Sequence, residues 1–301
     1  MHPSGARLFR RGGLLFAAVA VTAVATAAAS LWVSLAAIER DPNLLPPGDQ
    51  SIASADTSIN VLLISADAAK GADVADIVTL LHIDADRRDV QLIDIPRELA
   101  ITGSAAEPRV LADVYTDDGA AATVEAVEQT VGIRVQHVAL ASLSGTSRLI
   151  DLLGGVPVDN PSDAASGGFV FPRGEITLSG DEALAYTREG VAAGEFDPAH
   201  RRQLVLTGDA MLNPGTARAV LDQLATVVVV DSGLDNLRLI DLVVDLHRKL
   251  AVRTPTTIRL LAAGWGTSPS GRRYVVADVP RVAALAQAIN TDTVHAWQQR
   301  P

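Results

Sequence analysis

The chain has 301 residues, a formal net charge of −10, and a composition of 48% hydrophobic, 20% charged and only 4% aromatic residues, which fits one large globular domain or two small ones. It holds no cysteine, so a disulfide framework and thiolate-bound metals are excluded, and any metal must use oxygen or histidine ligands. Arg7, Arg10 and Arg11 carry all the charge before Gly12, which leaves −13 beyond Ile38; so acidic a domain does not bind nucleic acid through a general basic field.

The segment from Gly12 to Ile38 has no charged residue and, at roughly 27 residues, exceeds the ~20 that a bilayer-spanning helix needs. The arginines precede it, and Glu39, Arg40 and Asp41 follow it, which predicts a cytoplasmic N-terminus and an external remainder. The expected organisation is a basic cytoplasmic tail over 1–11, a transmembrane helix over 12–38, a proline-rich tether over 39–57 and an extracytoplasmic domain over 58–301, with its first strand at about Ile59. A cleaved signal peptide is the competing reading. The small residues TAAAS at 26–30 suit it, but the apolar run is long for such a peptide.

SINVLLISAD at 58–67 is an apolar strand run ending in the carboxylate of Asp67. The stretch from Ala75 to Leu99 then reads as a β-hairpin, IVTLLHI and VQLIDI joined by the polar DADRRD. Folding it between Asp86 and Arg87 sets Asp76 opposite Arg97. With the first strand beside the hairpin and its carboxyl end at the same edge, two acids and an arginine converge where a magnesium-bound phosphate ester could sit. Taken singly, Asp67 could merely begin a turn, and Asp76 with Arg97 could form a structural ion pair of ~1 kcal/mol.

Helical spacing is predicted over 117–132, closed by Gly132, and over 144–155, closed by two glycines. Between them IRVQHVAL reads as a strand. A loop-rich stretch with a small hairpin follows, then a short helix in SGDEALAYTR, where Ser179 and Glu182 have capping-box spacing. Asp197 and Pro198 suit the start of a helix running to about Leu212, a role that accounts for Asp197 without chemistry. TARAVLDQLATVVVV and LDNLRLIDLVVDLHRKL read as helices, TTIRLLAA and RRYVVA as a closing strand pair, and VPRVAALAQAI as a final helix. This alternation predicts an α/β fold, a mixed central β-sheet sandwiched by helices. His82, within a strand, reads as an interior or edge residue, and His200, beside Arg201, as part of a solvated helix face. No G-x-S-x-G, P-loop, G-x-G-x-x-G or H-E-x-x-H motif is found.

These stretches resemble the LytR-CpsA-Psr cell-envelope proteins over roughly Ser58 to Leu250, most closely in NVLLISAD, TLLHIDADRRDVQLIDIPREL, TVGIRVQHVALASLSGTSRLIDLLGGVPVDNP and LSGDEALAYTR. The resemblance implies a membrane-anchored phosphotransferase that moves glycopolymers from polyprenyl-pyrophosphate carriers to peptidoglycan in cell wall assembly, with an apolar groove for the lipid; the alanine-rich composition fits an actinobacterial source. By position, Asp67 and Asp76 match the acids that serve magnesium (Mg2+), while Arg97, with Glu98 beside it, and Arg188 match pyrophosphate-binding arginines. Arg109 stands where the family has lysine. The acid of the following helix motif falls on Asp197 by one count and Glu195 by another, and its basic partner on Arg201 or Arg202. Ala69, Val74 and Gly190 stand where the family has arginines, and Leu111 where it has asparagine. Lys70, next to Ala69, is placed to compensate. The alternative implied by these losses is a catalytically degenerate member that binds polyprenyl phosphate lipids or envelope partners.

Overall fold

The computed structural model describes residues 32–47, 58–66, 75–86, 89–101, 108–160, 162–192, 214–242, 256–260 and 262–298. Runs rich in valine, leucine and isoleucine build β2 (Ile59–Ala66), β3 (Ala75–Ile83) and β4 (Val90–Ile95), because branched side chains pack well on a pleated surface. They join β1 (Glu39–Asp41), β5 (His137–Ser142), β10 (Val228–Asp231) and β11 (Thr256–Arg259) in a sheet of order β1-β10-β5-β2-β3-β4-β11. The sheet is mixed: β2 pairs antiparallel with β3 and parallel with β5, and β11 runs parallel to β4.

Both faces of the sheet are covered. Leu62, Ile64, Leu80 and Ile93 pack with residues of α2 (Leu111–Val127) and α7 (Val279–Asn290), among them Val124, Leu285 and Ile289. Val61, Leu81, Ile83 and Val90 form a second cluster joined by Leu242, from helix α6 over 236–242. The predicted central sheet between helices is thus present. α3 (Leu143–Leu152), α4 (Gly180–Ala192) and α5 (Pro214–Val227) complete the larger helices, and α8 (Val294–Gln298) ends the described chain.

Several boundaries differ from those expected. α2 starts at Leu111 rather than near 117, but it is two helical segments that meet at a kink at Gly119, whose backbone (φ +82°, ψ −168°) is not helical, and a π-helical turn carries the second segment on from Glu128 to Gly132. The VVVD that follows α5 is strand β10, not more helix: its β-branched side chains complete the sheet beside β5. β11 does not close a pair with the last strand. It extends the main sheet, while β12 (Ala262–Thr267) pairs with β13 (Arg273–Ala277). The loop-rich stretch holds two small ladders, β6 (Val156–Asn160) with β9 (Gly174–Leu178), and β7 (Ala164–Ser166) with β8 (Phe169–Phe171) around the buried ring of Phe171.

The N-terminal part is also revised. Residues 1–31 lie outside the described residues, and no helix among the described residues is long and apolar enough to cross a membrane. The last residues of the uncharged segment pack on the domain: Leu35 and Ile38 are buried with Val230, Leu234 and Leu239, and Ser34 donates to Asp222 at 2.7 Å. A short helix, α1 over 32–36, is closed by Arg40, whose guanidinium donates to the Leu35 and Ile38 carbonyls. Glu39, Arg40 and Asp41, read as tether, form the outer strand of the sheet, parallel to β10.

His82 is interior, as expected. It is 1% exposed, and its Nδ1 lies 2.7 Å from Asn60 Oδ1, whose own amide donates to the Arg134 carbonyl. Its Nε2 stands 3.5 Å from Asp292. Burial holds the His82 pKa below the ordinary histidine value although Asp292 and Asp84 pull it upward. The folded protein therefore binds fewer protons here than the unfolded chain, and stability present above about pH 6.5 is lost as the pH falls. Urea midpoints measured from about pH 7 to about pH 5.5 should fall in the wild type, with a shallower fall in His82→Gln.

Candidate functional site

The register of the sheet fixes what shares its edge. Glu39, Val229, Leu140, Ile64, Val78 and Ile95 are successive partners across six strands. Two residues beyond that row, at one end of the sheet, come Ser142 after Leu140, Ala66 after Ile64, Asp76 before Val78 and Arg97 after Ile95. The hairpin register is the one expected from the sequence: Val78 opposite Ile95 continues to Asp76 opposite Arg97, but the ladder stops at Val78. There β4 gives way to a turn in which Leu99 N–H donates to the Pro96 carbonyl at 2.9 Å.

Asp76 lies at the start of β3, and Asp67 directly follows Ala66, the last residue of β2, although Asp67 itself lies outside the described residues. Arg97 Nε donates to Glu98 Oε1 at 2.9 Å, with the Arg97 side chain 39% exposed. Its main chain is fixed from below, since the Arg97 carbonyl accepts from Ala112 and the Leu99 carbonyl from Leu111, the first two residues of α2. Leu111 is fully buried and is part of the core. α3 opens at the same sheet end, with Ser142 Oγ accepting from Gly145 N–H at 3.1 Å. Its N-terminus adds a positive partial charge to this edge.

The start of α2 forms the neighbouring wall. Arg272 grips Asp113 through two contacts of 2.6 Å. Burial raises the Asp113 pKa, but hydrogen bonds from Arg272 and the Val110 N–H outweigh it and leave the carboxyl below the ordinary range. Arg109 bridges Asp118 at 2.8 Å and Asp117 at 3.1 Å, its side chain 47% exposed. The Asp118 hydrogen bond raises its already high pKa, so the guanidinium stays charged while committed to two carboxylates.

Arg188 belongs to α4. The first turn of that helix is set against α3, with Gly180 N–H donating to Asp151 at 2.7 Å and Ser147 Oγ to Asp181 at 2.7 Å. The predicted capping box is half formed: Glu182 accepts from the Ser179 N–H at 2.8 Å, but the Ser179 hydroxyl turns to that carboxylate as well. The Ser179 backbone hydrogen bond, then the hydroxyl, hold the Glu182 pKa down. Asp197, Arg201, Glu195 and Arg202 lie outside the described residues, as do Ala69, Lys70 and Val74. The structure thus brings Asp76 and Arg97 to one edge by backbone position, and directs Arg109 toward α2.

One buried charge on this part of the sheet was not singled out from the sequence. Asp94, 6% exposed, is the ladder partner of both Thr79 and Arg259. An acid inside the apolar run VQLIDI was the signal that could have drawn attention to it. Among the described residues no group of three or more histidine, aspartate or glutamate side chains could hold a metal alone. Two carboxylates from Asp67 and Asp76 suit a magnesium ion that draws its remaining ligands from phosphate and water, because that ion prefers hard oxygen donors.

The LytR_cpsA_psr family model matches residues 31–283. The teichoic acid transferase TagU of Halalkalibacterium halodurans, named as a polyisoprenyl-teichoic acid–peptidoglycan transferase, is 29% identical over 196 residues, 61% of this chain and 64% of its own. The cell wall biosynthesis protein LcpA of Corynebacterium glutamicum is 30% identical over 183 residues, 57% of this chain and 35% of its own. The matched stretch therefore spans less than two thirds of either relative. The fold is also that of the LytR-Csp2A-Psr enzyme from Actinomyces oris (TM-score 0.65, 21% identity, 84% of this chain and 96% of that one) and of B. subtilis TagV (TM-score 0.63, 18% identity, 79% and 98%). With a family match over most of its length and the same mixed sheet, the chain belongs to the LytR_cpsA_psr family.

Proposed function

We propose that this protein is a cell wall phosphotransferase that moves a glycopolymer from a polyprenyl-pyrophosphate carrier to peptidoglycan, working outside the cell from a membrane anchor over residues 12–31. The observation that carries this reading is the common sheet edge of Asp76, Arg97 and the β2 end that leads to Asp67. The named activity of the TagU relative supports it. In the transfer, an acceptor sugar hydroxyl attacks the phosphorus next to the glycan, the phosphoanhydride bond breaks, and polyprenyl phosphate leaves as a phosphodiester forms. The chain's part is to place the diphosphate and balance its charge. Asp67 and Asp76 would hold magnesium, which when bound neutralises the diphosphate. Arg97, oriented by Glu98, and Arg188 supply hydrogen bonds to the phosphoryl oxygens. Arg109 reaches them only by leaving Asp117 and Asp118.

The absent arginines at Ala69, Val74 and Gly190 favour the second reading, a lipid-binding member without turnover. Purified full-length protein, assayed for magnesium-dependent cleavage of a polyprenyl-pyrophosphate glycan, separates the two. Arg97→Ala should lower kcat/KM by about 10- to 100-fold, the effect of a charged hydrogen bond of roughly 1.5–3 kcal/mol. Background rates in both proteins, with lipid binding retained, would establish the second reading.

A further inference from the structure

The hairpin of β12 and β13 is joined to the chain immediately after Arg97. Val275 N–H donates to the Glu98 carbonyl at 2.8 Å, and Ala100 N–H donates to the Val275 carbonyl at 2.9 Å. β13 thus runs parallel to the segment that follows Arg97, with Val275 beside Leu99. Trp265, on β12, is the partner of Val275. Leu99, Val275 and Trp265 therefore form one crosswise row, in which the Trp265 main chain stands about 10 Å from that of Leu99. The hairpin is also held at its turn, where Arg272 reaches Asp113 at the start of α2 and Ser268 N–H donates to the Arg272 carbonyl at 2.8 Å. On this held strand Trp265 is 42% exposed. The Arg273 guanidinium lies 4.5 Å from the centre of its ring, a cation–π contact that orients the indole. Gly264 and Gly266 flank it: a methyl group at Gly264 would meet open space, and at Gly266 it would overlap the Tyr274 ring.

We infer that Trp265 and Arg273 form a subsite for the acceptor glycan, holding a sugar next to the one whose hydroxyl attacks the phosphorus. A pyranose presents a face of C–H groups, which carry positive partial charge and settle on the negative face of an aromatic ring. Its rim of hydroxyl and acetamido groups needs hydrogen-bonding neighbours, and the ring has them. Arg273 lies on it, and Thr267, the strand partner of Arg273, follows two residues along β12 on the same side of the strand. Among the described residues no carboxylate pairs with Arg273, whereas Arg109 and Arg272 are each committed to acids, so its donors are available to a sugar oxygen. The separation from Leu99 is one that a short oligosaccharide spans. Among the described residues β12 pairs with β13 alone. The subsite therefore lies on an open outer border, which a polymer continuing in both directions can cross without threading, and peptidoglycan is such a polymer. This inference rests on the transfer to peptidoglycan in the proposed function.

The test uses the full-length protein in detergent, with glycopolymer-free peptidoglycan fragments as acceptor and a polyprenyl-pyrophosphate glycan as donor. Trp265→Ala should raise the acceptor KM about tenfold while the donor KM keeps its wild-type value, and Trp265→Phe, which retains a ring, should stay within about threefold of wild type. Arg273→Ala should raise the acceptor KM by about threefold. Should Trp265→Ala not fold, Trp265→Leu, which keeps apolar bulk without the ring, decides in its place. An unchanged acceptor KM overturns the subsite, as does a rise confined to the donor KM, which would assign the ring to the donor glycan. Binding is read separately, by sedimentation with intact insoluble peptidoglycan: wild type and Trp265→Phe should be retained and Trp265→Ala largely lost, whereas equal retention of all three, or of none, overturns the proposal. Light scattering without peptidoglycan checks for contact between copies, and self-association that Trp265→Ala abolishes assigns the ring to a second copy and also overturns it. Wild-type protein that binds peptidoglycan through Trp265 but transfers nothing refutes the proposed activity and leaves the sugar site standing.

Discussion

Asp76→Ala is expected to reduce magnesium-dependent cleavage of the polyprenyl-pyrophosphate glycan by about a thousandfold, or ~4 kcal/mol of transition-state stabilisation. The residue starts β3 at the edge where β2 ends, so its loss would remove half of the proposed carboxylate pair and leave the diphosphate charge poorly balanced. Asp76→Glu keeps the charge but moves it by one methylene, and should fall between wild type and alanine. Titrating magnesium against rate distinguishes a binding effect from a chemical one: the alanine variant should need far more of the ion for its residual activity. Because Asp76 stands at the start of β3, before its first ladder pair with β4, thermal unfolding should change little. A rate equal to wild type would remove Asp76 from the site.

Gly180→Ala is expected to lower stability by about 3 kcal/mol, seen as a fall in Tm of about 10 °C. A methyl group at Gly180 would overlap the carbonyl oxygen and carbon of Ser147, which are main-chain atoms of α3 and cannot rotate away. The two helices would have to separate, stretching the Gly180 N–H from Asp151 and Asp181 from the Ser147 hydroxyl. α4 also carries Arg188, so the substitution should reduce kcat/KM even at temperatures where the protein stays folded. Gly154→Ala is the informative contrast. Nothing lies near a methyl group there, and only the φ of +87° is unfavourable, so a smaller loss of about 1 kcal/mol is expected.

The hairpin was legible because two apolar runs of β-forming residues flank a polar turn, and their numbering alone sets the register observed at Val78 and Ile95. The final helix was legible as well, from its apolar spacing and the proline at its start, where Asp278 supplies the cap. The strand over 228–231 was not. TVVVV continues a helical pattern without punctuation, and only the vacant pairing edge of β5 decides that it extends. The partner of β11 was hidden for a similar reason, since a parallel pairing with β4 joins residues distant in sequence and leaves no turn signal. At the site, position along a strand could be read for Asp76 and Arg97. The engagement of Arg109 with Asp117 and Asp118 could not, because it depends on how α2 begins and where its side of the helix points.

β1 alters how a soluble version of this protein should be cut. A fragment starting at residue 58, where the apolar strand pattern begins, would discard Glu39–Asp41 and uncover the open hydrogen-bonding side of β10. It would also bare Val230, Leu234 and Leu239 by removing Leu35 and Ile38. An unpaired strand border beside an apolar hollow invites aggregation. The outermost three-residue strand therefore acts as a protective hem, and material for crystallisation should begin ahead of Trp32.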